Sequence, residues 1–201
     1  LRLLLILISS LIIITNINIL PTFEINFLNK ILNNYIFQVL FFTFSLSVLT
    51  NGQNIIDGTN GLSALTSISI FASILILGYH LNNTQLIENC IVIIILIISF
   101  LCFNFPFGKI FLGDSGSYFL GIISGYFIID IFGANKSLSS WIACIVIFYP
   151  VFEVIFSYFR KIMLGRSPFY PDDDHLHLLL FSLLRKKGNN TKFSNPMVTL
   201  I

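Results

Sequence analysis

Long apolar runs separated by short polar breaks are the feature that most constrains this chain. Helices cross the hydrocarbon core of a bilayer in about 20 mostly apolar residues, with a range of roughly 17–25. The runs lack the polar alternation of membrane barrel strands. We therefore predict an all-α, polytopic integral membrane helical bundle, with residues 1–201 as a single membrane domain. Six runs are long enough: 3–20, 34–50, 62–79, 89–105, 117–133 and 139–160. A seventh apolar stretch begins at "NPMVTLI".

The charge content excludes an ordinary water-soluble domain. Charged residues make up 10% of the chain, whereas soluble domains carry about 25%. The three cysteines all lie in apolar runs and show no C-x-x-C spacing. Neither a disulfide framework nor a zinc-binding cysteine site is therefore indicated.

Basic residues are unevenly divided between the two sets of connections that six crossings would create. One set contains the start of the chain and residues 51–61, 104–116 and 160–192; the other contains 21–33, 80–88 and 133–138. The positive-inside rule predicts that the first set is cytoplasmic. Nine basic residues fall in the first set and two, Lys30 and Lys136, in the second; the nine are Arg2, Lys109, Arg160, Lys161, Arg166, Arg185, Lys186, Lys187 and Lys192.

Most of the unusual polar chemistry also falls in the first set. In "NGQNIIDG", Asn51, Asn54 and Asp57 are three residues apart, which places them on one stripe of a helix. Polar residues at the end of a helix can also simply cap its backbone. Three carbonyl-bearing side chains on one stripe exceed what capping uses, and they favour a binding site.

"FLGDSGS" places Asp114 among glycines and serines at the start of an apolar run. Asp114 could be an N-cap. It could instead hold a metal, while the glycines let the backbone approach a phosphate near the N-terminus of a helix. Asn104 and Pro106 indicate a broken, polar end to the preceding run.

"PDDDHLHLL" combines three acids with His175 and His177. A solvated loop is one interpretation, and a zinc site is poorly supported because no third nitrogen or sulfur ligand is near. Histidines beside carboxylates also suit phosphate binding and acid–base chemistry. Lys109 and Arg166 add fixed positive charge to this set of loops.

Together these three segments resemble the signatures of the polyprenyl-phosphate N-acetylhexosamine-1-phosphate transferases of glycosyltransferase family 4. The family pattern N-x-x-N-x-x-D-G-x-D-G-L appears as "NGQNIIDGTNGL", and N-x-x-P…F-x-G-D-x-G-S appears as "NFPFGKIFLGDSGS". G-R-S-P-F…H-x-H-H appears as "GRSPFYPDDDHLHL". The leucine-rich run after the histidines is similar to the GlcNAc-1-phosphate branch. The alternative is the phospho-MurNAc-pentapeptide transferase of peptidoglycan synthesis, which carries a longer motif there.

The resemblance implies a sugar-1-phosphate transferase of the bacterial inner membrane, with its active site on the cytoplasmic face. It implies a UDP-N-acetylhexosamine donor, a polyprenyl phosphate acceptor in the bilayer, release of UMP, and Mg²⁺ or Mn²⁺ as cofactor. Nucleic acid is not an expected partner, and a homodimer is left open. Asp114 and Asp57 would hold the metal, and His175 and His177 would contact the diphosphate. The remaining substrate-binding candidates are Asn51, Asn54, Asn60, Asn104, Lys109 and Arg166.

The sequence also departs from the family pattern. Asn60 replaces an aspartate and Leu178 replaces the last histidine. The adjacent aspartate pair of the family would lie upstream of Leu1, so we expect a C-terminal part lacking roughly three spans and inactive alone. An inactive scaffold and a transporter are the rival classes. A transporter predicts charges in mid-span, where Glu153 is the one plausible case, read first as a snorkelling or paired carboxylate.

Overall fold

The fold is a bundle of helices, and none of the residues that the structure describes forms a strand. The computed structural model describes residues 2–167, 174–186 and 191–201, the last segment with side chains from Ser194 onward. The predicted fold class, a polytopic all-α membrane bundle, is confirmed. The helices are α1 (Arg2–Thr15), α2 (Asn26–Leu32), α3 (Tyr35–Ile55), α4 (Leu62–His80), α5 (Thr84–Asn104), α6 (Gly113–Ala134), α7 (Ser140–Val146), α8 (Phe148–Met163), α9 (Leu176–Lys186) and α10 (Thr191–Leu200).

The number of candidate spans is smaller than the sequence predicts. Four described helices, α3 to α6, are long and apolar enough to cross a membrane, and α7 with α8 gives a fifth if the bent pair is one span. Helix α1 has 14 residues and α10 has 10, fewer than the roughly 17 that a straight span needs. The stretch "NPMVTLI" lies in α10 and the residue after it, so whether a seventh span begins there stays a prediction.

A proline accounts for the break in the sixth predicted span, 139–160. Helices α7 and α8 meet at Ile147 and are bent by 77°. Pro150 lies three positions into α8 and four after Val146, the last residue of α7. A proline has no N–H to donate to that carbonyl, and its ring clashes with it, so a continuous helix cannot form. In the first turn of a new helix the same residue is tolerated.

Polar side chains end the first predicted span, 3–20, after Thr15. The Thr15 hydroxyl donates to the Leu11 carbonyl at 2.9 Å, and Asn16 Nδ2 donates to the Ile12 carbonyl at 2.7 Å. The Ile12 carbonyl belongs to the last turn and has no N–H partner inside the helix, so the Asn16 side chain satisfies it. The chain then turns, and the connection 21–33, for which the sequence predicts only a loop, carries the short helix α2.

Helix α3 is the centre of the bundle and packs against α1, α6 and α8. Glycines make the closest approaches possible. A Cβ atom on Gly121 of α6 would lie 2.6 Å from the Cα atom of Thr50, and one on Gly52 would overlap the Pro150 carbonyl of α8. Small residues of this kind let membrane helices pack backbone to backbone.

The connections sort into two ends of the bundle. The α3–α4, α5–α6 and α8–α9 connections lie together at one end, which we call the polar end. There, the Gly61 N–H donates to Asn104 Oδ1 at 2.6 Å. At the opposite end, Ser140 Oγ donates to the Thr22 carbonyl at 2.7 Å. The three segments that carry the sequence motifs therefore share one end of the molecule.

Candidate active site

Two carboxylates and an amide meet at the polar end. Asn54 lies in the last two turns of α3, and its Nδ2 donates to Asp114 Oδ1 at 3.1 Å and to Ser117 Oγ at 2.9 Å. Asp57 follows α3, and its carboxylate accepts a hydrogen bond from the Gly113 N–H. We call Asn54, Asp57, Asp114 and Ser117 the acidic cluster. Its members come from the end of α3 and the start of α6, which α3–α6 packing holds together.

The electrostatics of the acidic cluster are unbalanced. Burial, and then the negative charge of Asp114, raise the pKa of Asp57 from 3.8 to about 6, against the opposing effect of the Gly113 hydrogen bond. Asp114 has one compensating cation among the ion pairs of the described residues: Arg2 Nη1 lies 3.0 Å from its Oδ2. The Arg2 side chain is largely exposed and that of Asp114 about half exposed. Two neighbouring carboxylates disfavour joint ionisation unless a cation lies between them.

The donor set of the acidic cluster fits a hard cation. Its carboxylate, amide and hydroxyl oxygens are the ligands that Mg²⁺ prefers, and Mg²⁺ is usually held by one or two carboxylates plus substrate phosphates. Within the described residues, no group of three or more His, Cys, Asp or Glu side chains could hold a metal ion by itself. Asp57 and Asp114 thus suit a metal that is completed by its substrate, rather than a closed metal site.

A second cluster is formed by Glu153, His175 and His177, which we call the imidazole cluster. Glu153 lies on α8, and the histidines lie at the start of α9. Glu153 Oε2 is 3.4 Å from His175 Nδ1, Glu153 Oε1 is 3.9 Å from His177 Nδ1, and the Leu176 N–H donates to Oε1 at 3.2 Å. Glu153 and His177 are each only 1% exposed. The two imidazole rings are parallel, with centroids 5.8 Å apart.

The two clusters adjoin at Gly58. A Cβ atom on Gly58 would lie 2.5 Å from His177 Nε2, so only a glycine allows this approach of the imidazole to the α3–α4 connection. Gly58 follows Asp57 directly in the chain. The Asp-Gly pair therefore links the acidic cluster on one side with His177 on the other.

Asn60 and Asn104, both predicted to bind substrate, make hydrogen bonds within the protein. Asn104 is buried; its Oδ1 accepts from Gly61 and its Nδ2 donates to the Ile110 carbonyl at 2.7 Å. Asn60 Nδ2 donates to the Pro106 carbonyl at 2.9 Å, and the Asn60 N–H donates to Asn195 Oδ1 of α10 at 2.7 Å. These bonds hold the α3–α4 and α5–α6 connections together, and a contact of either side chain with substrate stays a prediction.

The other predicted site residues lie around the clusters. Asn51 is half-buried in α3, and Lys109 is exposed in the α5–α6 connection. Arg166 Nη1 lies 3.7 Å from Asp174 Oδ2, which places it beside the segment that leads to the histidines. Residues 168–173 of the "GRSPFYPDDDHLHL" motif, including Pro168, fall outside the described residues.

An apolar cavity of about 440 Å³ lies beside α3, bounded by α6, α7 and α8. Its lining follows α3 from Phe41 to Leu49, about 12 Å of helix axis. On α8 it includes Val151 and Val154, next to Glu153 in sequence. The lining also includes Pro21 and Ser140, so the cavity runs along the bundle from the opposite end toward the polar end. Its walls are mostly hydrocarbon and aromatic side chains.

Comparison with known proteins identifies the family. The family model for Glycosyl transferase family 4 matches residues 1–132, about two thirds of the chain. The chain belongs to glycosyl transferase family 4. The matched region of this family member includes the whole acidic cluster.

Curated relatives carry transferase names. A probable undecaprenyl-phosphate N-acetylglucosaminyl 1-phosphate transferase of Bacillus subtilis is 31% identical over 73% of this chain and 43% of its own length. An undecaprenyl-phosphate alpha-N-acetylglucosaminyl 1-phosphate transferase of Thermotoga maritima is 31% identical over 69% of this chain and 41% of its own length. The enzyme of the same name from Escherichia coli K12 is 28% identical over 78% of this chain and 43% of its own length. The chain thus spans less than half the length of these relatives.

Two buried polar residues of this family member have partners that the sequence does not identify. The sequence predicts a snorkelling or paired carboxylate at Glu153; it is paired, and its partners are the two motif histidines. Gln53, in the middle of "NGQN", is fully buried and donates to Ser63 Oγ and Ser67 Oγ at 2.9 and 2.8 Å. A lone acid or amide inside an apolar run was the available signal, because such a residue needs a partner in the protein.

Proposed function

We propose that the complete protein transfers N-acetylglucosamine 1-phosphate from a UDP-sugar to undecaprenyl phosphate and releases UMP. The observation that carries the proposal is the convergence of the acidic and imidazole clusters at one end of the bundle, beside an apolar cavity. A charged sugar nucleotide and a lipid phosphate have to meet at a membrane surface, where polar groups adjoin an apolar path. The names of the curated relatives support this choice of sugar and lipid.

The roles of the side chains follow from the chemistry of phosphoryl transfer. Catalysis of this reaction depends mainly on positioning and on neutralising charge, because little covalent chemistry falls to the protein. Asp57 and Asp114 would hold Mg²⁺, which, when bound, neutralises charge on the diphosphate. Asn54 keeps the Asp114 carboxylate in place through its hydrogen bond. His175, His177, Lys109 and Arg166 would face the sugar nucleotide, and the lipid phosphate would be the attacking group.

The apolar cavity suits the hydrocarbon chain of the acceptor. Burial of apolar area contributes roughly 25 cal/mol per Å², so even a short stretch of chain against this lining supplies useful affinity. The lining reaches Leu49 and Val154, and Gly52, three residues after Leu49, already contacts Pro150 at the start of α8. A chain lying there would place its phosphate near the α3–α4 connection.

The membrane side of the polar end is part of the proposal. Lysine and arginine gather at that end, which favours the cytoplasm. In a variant lacking Cys90, Cys102 and Cys144, single cysteines at Asn83 and Ser115 would report the two ends to a reagent that cannot cross the membrane. We expect labelling from outside the cell at position 83 only. Labelling at position 115 from outside would overturn this orientation.

The decisive experiment is a donor comparison with the purified full-length protein. UMP release is measured with undecaprenyl phosphate and, in separate reactions, UDP-GlcNAc, UDP-GalNAc and UDP-MurNAc-pentapeptide. We expect release with UDP-GlcNAc, dependent on Mg²⁺ and on the lipid. Preference for the pentapeptide donor would assign the protein to the peptidoglycan enzyme instead. No release with any donor, from a protein that is folded, would favour an inactive scaffold.

A further inference from the structure

The imidazole cluster contains a buried carboxylate that the proposed chemistry does not use. Glu153 sits on the apolar helix α8, and an isolated charge inside a membrane-spanning segment is expensive. Three groups of one short segment face it: the Leu176 N–H and the Nδ1 atoms of His175 and His177. The Tyr149 hydroxyl, one turn earlier on α8, also hydrogen-bonds to the carboxylate. In the described part of the chain, neither Nδ1 atom has a hydrogen-bond partner, and neither does Glu153 Oε2. For each imidazole Nδ1 atom, a carboxylate oxygen of Glu153 is the complementary group, at 3.4 Å for His175 and 3.9 Å for His177.

We propose that Glu153 is a positioning residue that fixes the ring orientation and tautomer of both histidines. Its carboxylate accepts from the Nδ1–H of His175 and His177, while Oε1 also anchors the backbone at Leu176. The Nδ1–Oε separations of 3.4 and 3.9 Å exceed those of good hydrogen bonds. Hydrogen bonds of functional histidines are often long before substrate binds and tighten afterwards.

The chemical consequence lies at the other nitrogen of each ring. A neutral imidazole has one N–H donor and one lone pair, so a proton on Nδ1 leaves the lone pair on Nε2. The two nitrogens of a ring point away from each other. For His177 this directs Nε2 to Gly58, next to Asp57. There Nε2 can accept a hydrogen bond, or take a proton and donate to a phosphate oxygen, with the carboxylate behind it stabilising the cation.

Two observations argue against a purely packing role for Glu153. A leucine of similar volume would fill the same space on α8 without burying a charge, and burying an uncompensated charge costs several kcal/mol. The residue also contacts both histidines and the peptide between them, which is more than one ion pair would need. Carboxylates that orient a functional imidazole through its Nδ1–H are a recurring arrangement in other sites.

The tautomers can be measured directly by ¹⁵N NMR of histidine-labelled full-length protein at pH 8. Signals are assigned with His175→Asn and His177→Asn, and His80, at the opposite end of the bundle, is the internal reference. We expect protons on Nδ1 of both His175 and His177, and loss of that preference in Glu153→Leu. A proton on Nε2 of either histidine in the wild-type protein overturns the proposal. That measurement needs no variant of Glu153 to fold.

An activity measurement tests the functional half, which rests on the proposed transferase reaction. Glu153→Gln keeps an oxygen for the Leu176 N–H but removes the charge. We expect kcat/KM to fall about 10- to 100-fold, as for other partners of functional histidines. Ser157→Ala, one turn along α8 and also buried, is the matched control and should stay near wild type. Equal activity of Glu153→Gln and wild type would overturn the functional half. A protein with the expected tautomers but no transferase activity would remove the proposed function and leave the positioning role in place.

Discussion

The acidic cluster and the imidazole cluster lie side by side but are built in opposite ways. Asp114 is about half exposed, and its ion pair with Arg2 is a surface contact. Glu153 and His177 are buried almost completely, and their charges and polar atoms face one another. The acidic cluster thus has negative charge in excess and room for a ligand, whereas the imidazole cluster is compensated from within.

This difference separates binding from positioning. An open group of like charges has affinity for a cation, because its own repulsion is relieved when the cation binds. A closed group with matched donors and acceptors has little to gain from a ligand, and it instead fixes the orientation of its members. The two clusters adjoin at Gly58, so the orientation of the His177 ring determines which group its Nε2 presents beside the acidic cluster.

The largest expected effect is the loss of transferase activity on Asp114→Asn, in the acidic cluster of the full-length protein. The amide keeps the size and capping ability of the side chain but removes the charge needed for metal binding. A bound metal contributes several kcal/mol to phosphoryl transfer, so the rate should fall roughly 10³-fold or more in a protein that still folds. UMP release across a magnesium titration measures this, with the exposed neighbour Ser115→Ala as control. A near-normal rate at ordinary magnesium would leave Asp114 as a helix cap and erase the contrast between the clusters.

The junction between the clusters should be the next most sensitive point. Gly58→Ala adds a Cβ atom 2.5 Å from the ring of buried His177, and overpacking of this kind costs about 1–3 kcal/mol. We expect that loss in the free energy of unfolding in detergent, together with lower transferase activity. In Gly78→Ala, the added atom meets the Ile87 side chain at 3.1 Å. This control lies at the opposite end and should lose much less stability, and equal losses would contradict the tight junction.

Competition between protons and a metal ion distinguishes the two clusters, because only the acidic cluster should show it near neutral pH. The pKa of Asp57 is raised to about 6, so its carboxyl group takes up a proton as the pH falls through 6. Bound protons exclude a cation, and the affinity for Mn²⁺, followed by electron paramagnetic resonance, should fall about tenfold per pH unit below pH 6. Asp57→Asn should remove this dependence. Asp114→Asn removes the charge that helps to raise the pKa of Asp57, and what remains of the dependence should move to lower pH.

The same raised pKa has a consequence for stability. A carboxyl group with a pKa of about 6 in the folded protein and about 4 when unfolded favours folding most when it is protonated. Its contribution is complete below pH 4 and is lost as the pH rises through 6. In the absence of divalent cations, Asp57→Asn should therefore stabilise the protein at pH 7.5 relative to wild type, and not at pH 4. Unfolding midpoints at the two pH values test this, and a gain of equal size at both would contradict it.

The smallest effect should come from Arg2→Ala. Exposed ion pairs contribute about 0–1 kcal/mol, and Arg2 is largely exposed and Asp114 about half exposed. We expect a change in unfolding free energy within that range, and it should disappear at high salt. Chemical denaturation at low and high ionic strength measures it. A loss well above that range would show that the open cluster is more tightly compensated than its exposure indicates.

Much of this architecture is visible in the sequence. The length of the apolar runs predicts α3 to α6 closely, and the turn residues predict most of the connections between them. The sequence also places the motif segments at one end, because alternate connections of a helical bundle return to the same end. This allows the hydrogen bond between Asn54 and Asp114, which are 60 positions apart; the contact itself is seen only in the structure. The site roles of all the candidates remain predictions: Asn51, Asn54, Asp57, Asn60, Asn104, Lys109, Asp114, Arg166, His175 and His177.

Other features were decided by tertiary packing. The hydropathy of residues 139–160 does not predict the break at Pro150, because hydropathy summed over a run does not depend on a single missing backbone N–H. The sequence predicts a snorkelling or paired carboxylate at Glu153 but does not name its partners, since these lie at the start of α9, 22 and 24 positions further along the chain. Runs of apolar residues and turn signals are local, so sequence alone established a membrane-embedded helical protein with its motifs at one end. Which buried polar groups face each other depends on how closely the helices approach. In this protein, the glycines that allow those short distances are recognisable only from the groups that pack against them.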